Sequence, residues 1–282
     1  MIKTKYYMSI LLIALPLRVL SQNVVPYAEI GQFRSANSMS INPAGFIFII
    51  DEANNEIIKL DTLGNEVNRI GGFGWDSYSF DSPADIFTNT LNIYIADKNN
   101  DRIQIYDKDL NYLSSFSTEG NENIEFRYPT GVAVYSQGDL FILDSDNARI
   151  LKFDLRGDFI TTIGGIESGN YVLNNPKKFT LMPNGNLIVI DNRNLVFFDQ
   201  FGNYINKVSL EYEPTNISST YGIVAITSGE NIYYGRIIDS QLSSSLKLFS
   251  PEIIDDPRDA VIFNSKLYVL TEKQIYVYQI TD

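Results

Sequence analysis

The sequence predicts an all-β protein, a six-bladed β-propeller made of four-stranded antiparallel blades. Three observations lead to this architecture. A pattern of residues recurs every 46 or 47 positions along much of the chain. Each copy contains short runs of apolar and β-branched residues bounded by Gly, Asn and Asp, which are typical of strands. No stretch shows the spacing of apolar residues that an amphipathic helix requires.

The repeat is anchored by an aspartate that ends an apolar run in each of the first four units, and by a proline that opens several of them. Two weaker copies complete the set of six. In these copies Gly235 and Thr271 replace the aspartate, and Pro257 opens the last one. A period of this length is typical of a repeat architecture. The aspartates are Asp51, Asp97, Asp144 and Asp191, and the other prolines are Pro83, Pro129 and Pro176.

The third unit shows how each copy is expected to fold. A short strand at 131–135 is followed by an almost continuous apolar strand at 140–143, an alternating strand at 150–153 and a last strand at 159–163. The turn before the last strand has the Asp-x-x-Gly pattern of a type I turn closed by a left-handed glycine. The second strand is apolar on both sides, so neighbouring sheets must cover both of its faces. Stacking the sheets around an axis provides that cover.

The two ends of the chain are expected to complete one blade together. The last unit stops after its third strand, at 275–280, and leaves an outer edge unpaired. The segment at about 27–33, YAEIGQF, resembles the fourth strands of other units, so we expect it to close the sixth blade. Pairing there removes an exposed edge strand, a known cause of aggregation. Residues 23–282 then form a single propeller domain.

Residues 1–22 have the pattern of a secretory signal peptide. Lys3 and Lys5 precede a short apolar stretch, and Val19 and Ser21 occupy the −3 and −1 positions of a cleavage site. The apolar run of about ten residues is shorter than the roughly 20 that span a bilayer. We therefore expect a secreted or periplasmic protein without a membrane span. An uncleaved interfacial anchor is the alternative.

The composition excludes several classes of function. The 282 residues contain 22 Lys and Arg against 34 Asp and Glu, a formal charge of −12 that becomes −15 without residues 1–22. A chain this acidic is repelled by nucleic acids and by anionic lipid surfaces. It contains no Cys and no His, which excludes disulfides, thiolate or His-ligated metal sites and a Ser-His-Asp triad. We expect no cofactor and no bound metal.

The repeated aspartate belongs to a longer motif in two units: Asp97-x-x-Asn100-x-Arg102-Ile103 and Asp144-x-x-Asn147-x-Arg149-Ile150. This motif resembles the NHL repeat of six-bladed propellers, especially those secreted into bacterial cell envelopes. The first unit lacks the arginine, and the histidine usual in NHL repeats is absent from every copy. The resemblance covers about residues 23–282, is clearest in the middle blades, and implies a fold rather than an activity.

The motif has two interpretations. Its carboxylate and cation suit a binding site, but Asp and Asn also satisfy backbone groups in turns, and recurrence in successive blades favours that structural role. We expect Arg102 and Arg149 to bridge adjacent blades. The glycine cluster at 71–74 has the composition of a phosphate-binding loop but lacks the helix that such loops precede, so it is not expected to bind phosphate.

One residue of each blade is expected at the channel mouth, where ligands of propellers usually bind. This ring contains one carboxylate and two cations, whereas calcium requires six to eight oxygen ligands. A metal is therefore not expected there. The ring consists of Asn37, Asp85, Thr130, Lys177, Tyr221 and Arg258.

Aromatic residues in the loops that enter the inner strands form a second group of candidates. Exposed Trp, Tyr and Arg are typical of recognition surfaces. Alternatively, these rings pack against the loops at the blade tops. The group consists of Trp75, the only tryptophan, with Tyr78, Arg127 and Tyr128, and of Tyr171 and Tyr212 in later loops.

Three functions remain open at this point. The favoured one is a non-enzymatic scaffold that binds a peptide, protein or glycan through loops on one face. The second is a hydrolase or lyase at the channel mouth that uses a Lys or Tyr base, although no residue pattern singles out that base. The third is a structural module of a larger envelope complex. We expect a monomer or a subunit of such a complex.

Overall fold

The computed structural model describes residues 23–121, 124–169, 171–237, 246–252, 254 and 256–281. These residues form six four-stranded antiparallel sheets arranged as the blades of a β-propeller, which confirms the predicted fold. The helical segments in these ranges are three short 3₁₀ turns at Glu52–Asn54, Lys98–Asn100 and Ile166–Ser168. No helix in the described ranges is long and apolar enough to cross a membrane.

In blades 1 to 5 the chain passes from the inner strand to the outer strand in sequence order. Blade 1 contains β2 (Ala36–Ile41), β3 (Ile47–Asp51), β4 (Glu56–Leu60) and β5 (Glu66–Gly71); blade 2 contains β6 (Pro83–Thr88), β7 (Asn92–Asp97), β8 (Arg102–Asp107) and β9 (Tyr112–Phe116). Blade 3 contains β10 (Pro129–Val134), β11 (Leu140–Asp144), β12 (Arg149–Phe153) and β13 (Phe159–Ile163). Blade 4 contains β14 (Pro176–Leu181), β15 (Leu187–Asp191), β16 (Asn194–Phe198) and β17 (Tyr204–Ser209); blade 5 contains β18 (Asn216–Thr220), β19 (Ile223–Ser228), β20 (Asn231–Arg236) and β21 (Lys247–Phe249).

Blade 6 is built from both ends of the described chain. Its strands are β22 (Asp259–Phe263), β23 (Lys266–Leu270) and β24 (Ile275–Thr281), and its outer strand is β1 (Asn23–Ile30). The expected closure is therefore confirmed, but β1 starts and ends earlier than the predicted segment at 27–33. Residues 31–33 instead belong to the connection into blade 1, where the N–H of Phe33 donates to the carbonyl of Lys273 over 2.8 Å.

The second strand of a blade packs against both neighbouring blades, as its apolar sequence predicts. Every residue of β3 is buried. Ile49 belongs to a cluster with Val261 of blade 6, whereas Phe48 and Ile50 belong to a cluster with residues of blade 2 such as Ile95. Burying one such side chain stabilises the fold by about 1.5–3 kcal/mol. The core is thus a ring of interfaces between sheets.

The sequence assignment of blade 5 is wrong by one strand. Gly235 and the NIYY segment before it were expected to end the second strand, but they lie in β20, the third strand. The second strand is β19, whose residue Thr227 pairs with Asn216 of the inner strand. Both strands are rich in apolar residues and neither ends in aspartate. The sequence therefore lacks the residue that identifies the second strand in blades 1 to 4. In blade 6 the assignment is correct, because Thr271 directly follows β23.

The turns between third and fourth strands have the predicted geometry. The carboxylate of Asp61 accepts the N–H groups of Leu63 and Asn65, both over 2.9 Å, and Gly64 has a φ of +86°. Asp154 and Asp199 make the same contacts with the residues two and four positions later. The pKa of Asp61 is lowered chiefly by the side-chain amide of Asn65, which also donates to it, and that of Asp154 chiefly by the N–H of Asp158. For Asp199 burial raises the pKa, but the side chain and N–H of Asn203 outweigh this effect and lower it.

Candidate functional site

The propeller has two faces with different chemistry. The entry face carries the loops that lead into the inner strands and the short turns between second and third strands. The turn face carries the turns between first and second strands and between third and fourth strands. These definitions follow from the order of strands within each blade.

The repeated aspartates organise the loops of the entry face. Asp51 accepts the N–H groups of Arg34 and Ser35, each over 2.8 Å, and Asp191 accepts those of Asn174 and Asn175 over 3.0 and 2.7 Å. The aspartates are at most 1% exposed. Their carboxylates therefore satisfy backbone donors that the loop leaves without partners. The structural interpretation of this position is the correct one.

In blade 2 the motif arginine extends this network into the loop 72–82, which connects blades 1 and 2. Arg102 donates from Nε to Asp97 over 2.8 Å and from Nη1 to the carbonyl of Trp75 over 2.6 Å. Its Nη2 atom lies 3.1 and 3.0 Å from the carbonyls of Asp76 and Ser79. The arginine thus links adjacent blades through the connecting loop rather than by contacting the neighbouring sheet.

The same arrangement recurs in blade 3. Arg149 donates to Asp144 over 2.8 Å and to the carbonyl of Glu125 over 2.9 Å. Glu125 belongs to the loop that connects blades 2 and 3.

Three more side chains of blade 2 hold loop 72–82 by its carbonyl groups. Asn100 donates to Gly74 over 2.9 Å, Gln104 to Ser79 over 2.7 Å, and the hydroxyl of Tyr106 to Ser77 over 2.6 Å. Since the loop leads into a strand, β6, and not into a helix, the structure also excludes the phosphate-loop interpretation of its glycines.

Loop 72–82 presents two large aromatic side chains to solvent, which we call the aromatic pair, Phe73 and Trp75. Their exposed fractions are 67% and 71%, and their rings meet edge to face with centroids 5.9 Å apart. Sequence reasoning selected Trp75 but missed Phe73, although both lie in the short segment GGFGW. The backbone of this loop is held by hydrogen bonds, whereas its aromatic pair is open to a partner.

Tyr78 does not join the aromatic pair. Its ring lies 6.1 and 6.3 Å from those of Tyr106 and Tyr112, and its hydroxyl accepts the N–H of Tyr112 over 3.2 Å. The side chain therefore packs on blade 2, although 49% of it remains exposed. It supports the loop and adds part of its ring to the surface.

Arg127 and Tyr128 lie in the loop before blade 3, on the same face as Trp75. The guanidinium of Arg127 pairs with Glu125 over 3.0 Å, which raises its pKa. Tyr128 adopts a left-handed backbone with a φ of +48°, and its N–H donates to Asp101 of blade 2 over 2.7 Å. The tyrosine backbone is thus held by the neighbouring blade while its ring is exposed.

Tyr171 and Tyr212 fit the packing alternative. Tyr171 stacks on Tyr204 with ring centroids 5.1 Å apart, and Tyr212 stacks on Tyr233 with centroids 3.8 Å apart. Burial raises the pKa of both hydroxyls. Both rings belong to the walls of their own blades.

Four members of the predicted ring lie at the entry end of the inner strands: Asn37, Thr130, Lys177 and Arg258. Asn37 donates to the carbonyl of Pro83 over 3.3 Å, Lys177 pairs with Glu213 over 2.6 Å, and Arg258 pairs with an aspartate, Asp256, over 2.9 Å. Asn37, Thr130 and Lys177 each follow the first residue of their inner strand. A register shift there leaves each of them without a paired residue in the second strand.

Tyr221 is a correction. The sequence placed it at the entry end of the fifth inner strand, but it lies in the turn that connects β18 to β19, on the turn face. The cause is the misassigned phase of blade 5. In blade 5, the position equivalent to Asn37 and Lys177 lies just before Asn216, at the start of β18.

Asp85 lies one residue deeper than the rest of the predicted ring, in a group that we call the axial cluster: Ser38, Asp85, Lys178 and Asp259. These four residues are equivalent in the blades. Each pairs with the residue of the second strand that directly precedes the repeated aspartate, or that precedes Thr271 in blade 6. Sequence reasoning missed Ser38 and Lys178 because a register shift near the start of β2 and β14 displaces the channel-facing position by one residue. The strand β22 has no such shift, and Asp259 was missed because counting from Pro257 selects the residue before it. The sequence offers one signal for these positions: a charged residue, Lys178 or Asp259, directly follows a member of the predicted ring.

The axial cluster is connected by hydrogen bonds across the channel. Lys178 of blade 4 forms an ion pair with Asp85 of blade 2, and Ser38 of blade 1 donates to the same carboxylate over 3.1 Å. Asp85 also accepts the N–H of Val132 over 2.8 Å. Both charged side chains are largely buried, with exposed fractions of 13% for Lys178 and 7% for Asp85.

Asp259 occupies a different environment in the same cluster. It accepts the N–H groups of Met39 over 2.9 Å and of Ala260 over 2.7 Å. Complete burial raises the pKa of its carboxyl to about 6, and the nearby charge of Asp85 adds to this rise. The charge of Lys178 and the two N–H donors act in the opposite direction.

A cavity of about 370 Å³ lies beside the axial cluster and opens on the turn face. Its mouth is formed by turns between first and second strands, including Pro43, Ser136, Pro183 and Tyr221. This cavity and the aromatic pair are therefore on opposite faces of the propeller.

Comparison with known proteins identifies the repeat. Residues 126–153, which cover the loop into blade 3 and its first three strands, match the NHL repeat. The chain is 31% identical over 144 residues to the protein brain tumor of Drosophila melanogaster, an alignment that covers 49% of this chain and 13% of that protein. It therefore spans a small part of the length of this relative.

Solved structures share the fold at low identity. A virginiamycin B lyase from Staphylococcus aureus has a TM-score of 0.61 at 10% identity, covering 92% of this chain and all (100%) of that one. A chain of a nidogen–laminin complex has a TM-score of 0.62 at 15% identity, covering 79% of this chain and 83% of that one. Together with the blade geometry, these similarities show that the chain is a six-bladed β-propeller, one repeat of which matches the NHL repeat.

Proposed function

We propose that this protein is an extracytoplasmic scaffold that binds a peptide, protein or glycan through the loops of the entry face. The observation that carries the proposal is loop 72–82. Its carbonyl groups are held by four side chains of blade 2, and its aromatic pair is about two-thirds exposed. Two large rings exposed side by side form an apolar patch, and such patches commonly mark interaction sites.

The physical chemistry of the loop suits recognition. Ordering a loop on binding costs free energy, and a loop whose backbone is already hydrogen-bonded avoids most of that cost. Trp and other aromatic residues contribute large contact areas and are enriched among the residues that dominate binding energy. Tyr128 and Arg127 extend this surface toward blade 3. Binding residues commonly lie on loops that a rigid scaffold positions.

The enzymatic alternative receives less support from the geometry. The two cations expected at the channel mouth, Lys177 and Arg258, are each paired with a carboxylate. Both side chains are therefore engaged by a neighbouring carboxylate of this chain rather than by a substrate. The lyase similarity is at 10% identity and concerns the fold.

The location outside the cytoplasm is part of the proposal and rests on residues 1–22, which lie outside the described ranges. Amino-terminal sequencing of the protein isolated from fractionated cells tests it. We expect the isolated chain to begin at Gln22 and to be found in the periplasmic or extracellular fraction. An intact amino terminus in the cytoplasmic fraction contradicts this part of the proposal.

The binding surface is tested by capture of partners from envelope extract, followed by affinity measurement with the purified partner. The double variant Phe73→Ala plus Trp75→Ala is expected to weaken binding at least tenfold. Phe201→Ala is the matched control, because Phe201 is also 67% exposed but lies in the turn between β16 and β17 on the turn face. Equal affinity of the double variant and the unaltered protein contradicts the proposed surface.

A further inference from the structure

The cavity on the turn face has the size and shape of a small-molecule site. Its volume of about 370 Å³ lies within the range typical of ligand pockets. The inner strands of the blades form its walls, which are largely apolar and include Met39, Ile86, Phe179 and Val261. The proposed protein-binding surface lies on the opposite face, so a ligand in this cavity is a separate function.

The charged groups of the cavity are concentrated at one end. Among its described lining residues the charged ones are Asp85, Lys178 and Asp259, which belong to the axial cluster. Lys178 is paired with Asp85, whereas Asp259 makes no ion pair within the described ranges. Two carboxylates therefore face one ammonium, and the ionised cluster carries a net charge of −1.

This charge is held where water screens it poorly. Asp259 is 3% exposed and is compensated by two backbone N–H groups rather than by a cation. A buried charge without a counter-charge is costly. A ligand that brings a positive group to this end of the cavity supplies the missing charge, whereas an anionic ligand adds to the repulsion.

We propose that the cavity binds a small organic amine, with its ammonium group against Asp259 and its apolar body along the inner strands. The ammonium completes a cluster of two carboxylates and two cations, and the apolar walls cover the rest of the molecule. The cavity wall also carries the hydroxyls of Ser40 and Thr88, which are hydrogen-bonded to each other over 2.8 Å, and the hydroxyl of Ser219.

The experiment is a titration of the full-length purified protein with three probes of similar shape: 2-phenylethylamine, 2-phenylethanol and phenylacetate. Calorimetry or ligand-observed NMR measures the affinities. We expect the amine to bind at least tenfold more tightly than the alcohol, and phenylacetate to bind more weakly than both. Equal affinity for amine and alcohol, or no binding of the amine at millimolar concentration, overturns the proposal.

Three variants test the placement of the ammonium group. Asp259→Asn is expected to weaken amine binding at least tenfold. Lys178→Met removes the competing cation, and we expect it to strengthen amine binding severalfold. Asp256→Asn, at an exposed carboxylate on the entry face, is the matched control and should leave the affinity unchanged.

The opposite effects expected from two cavity variants separate the proposal from a general loss of structure. Circular dichroism first establishes that each variant is folded, and if either is not, the three-probe titration of the unaltered protein decides the matter. Unchanged affinity in both variants overturns the proposal. Loss of amine binding in the Phe73→Ala plus Trp75→Ala variant also overturns it, because the amine then binds on the entry face.

Discussion

Lys178 of blade 4 and Asp85 of blade 2 form an ion pair across the central channel, and Ser38 of blade 1 donates to the same carboxylate. Three blades that do not share a continuous sheet are therefore connected at the axis. Adjacent sheets in a propeller already contact each other through apolar side chains. The axial cluster adds a polar connection between blades 2 and 4, which are not neighbours in the ring.

Breaking this ion pair is expected to destabilise the protein. Lys178→Met leaves the carboxylate of Asp85 buried without a cation, which costs about 3–5 kcal/mol of unfolding free energy. Chemical denaturation measures the loss. Lys177→Met is the control, because Lys177 is adjacent in sequence but pairs with the exposed Glu213, with an expected cost of about 1 kcal/mol or less. Equal effects of the two variants contradict the role of the axial pair.

Asp259 is expected to titrate near pH 6. Its pKa of about 6 in the folded protein exceeds the value of 3.8 expected in the unfolded chain. Ionisation of Asp259 therefore costs stability, and this cost grows as the pH rises from about 4 to about 6 and stays constant above, reaching about 3 kcal/mol.

Carbon-13 NMR of the aspartate carboxyl groups measures this titration, with Asp259→Asn assigning the signal. Lys178→Met is expected to raise the pKa of Asp259 further, because the charge of Lys178 lowers it. A pKa near 4 in the folded protein contradicts the assigned environment.

Removing the arginine of blade 2 is expected to release loop 72–82. Arg102→Met loses hydrogen bonds to the carbonyls of Trp75, Asp76 and Ser79, at a cost of about 2–4 kcal/mol. Trp75 is the only tryptophan, so its fluorescence reports on this loop. We expect lower fluorescence anisotropy and faster quenching by acrylamide. Arg156→Met, at an exposed arginine in a turn of blade 3, should change neither signal.

The strand that closes the ring is expected to prevent self-association. Deleting residues 23–30 removes β1 and leaves β24 with an unpaired edge in blade 6. We expect the shortened protein to unfold at a lower denaturant concentration and to form dimers or larger species in light scattering. A monomer of unchanged stability contradicts the role assigned to β1.

The sequence predicts the strands correctly in the four blades whose second strand ends in aspartate. Asp51, Asp97, Asp144 and Asp191 set the phase of four blades because a buried carboxylate is needed to hold each entry loop. Blade 5 lacks this carboxylate, and two successive apolar strands are then indistinguishable by composition. For this reason the sequence predicts β20 as the second strand and Tyr221 on the entry face, and both predictions are wrong.

The axial cluster was harder to predict for a different reason. In β14 the pairing has a register shift after the first residue, so counting from the proline selects Lys177, whereas Lys178 belongs to the axial cluster. The residue type at this position also differs from blade to blade, for example Ser38 in blade 1 and Asp259 in blade 6, so no repeated motif marks it. Their importance appears only when the six blades are brought around one axis.

The pairing of Asn23 with Thr281 has a consequence for how this protein acquires its structure. The strand β1 must wait for β24, because its described pairing is with that strand. Contacts so distant in sequence slow folding. During synthesis the early blades can assemble one after another, but the molecule becomes a single cooperative body only after its final strand has been translated.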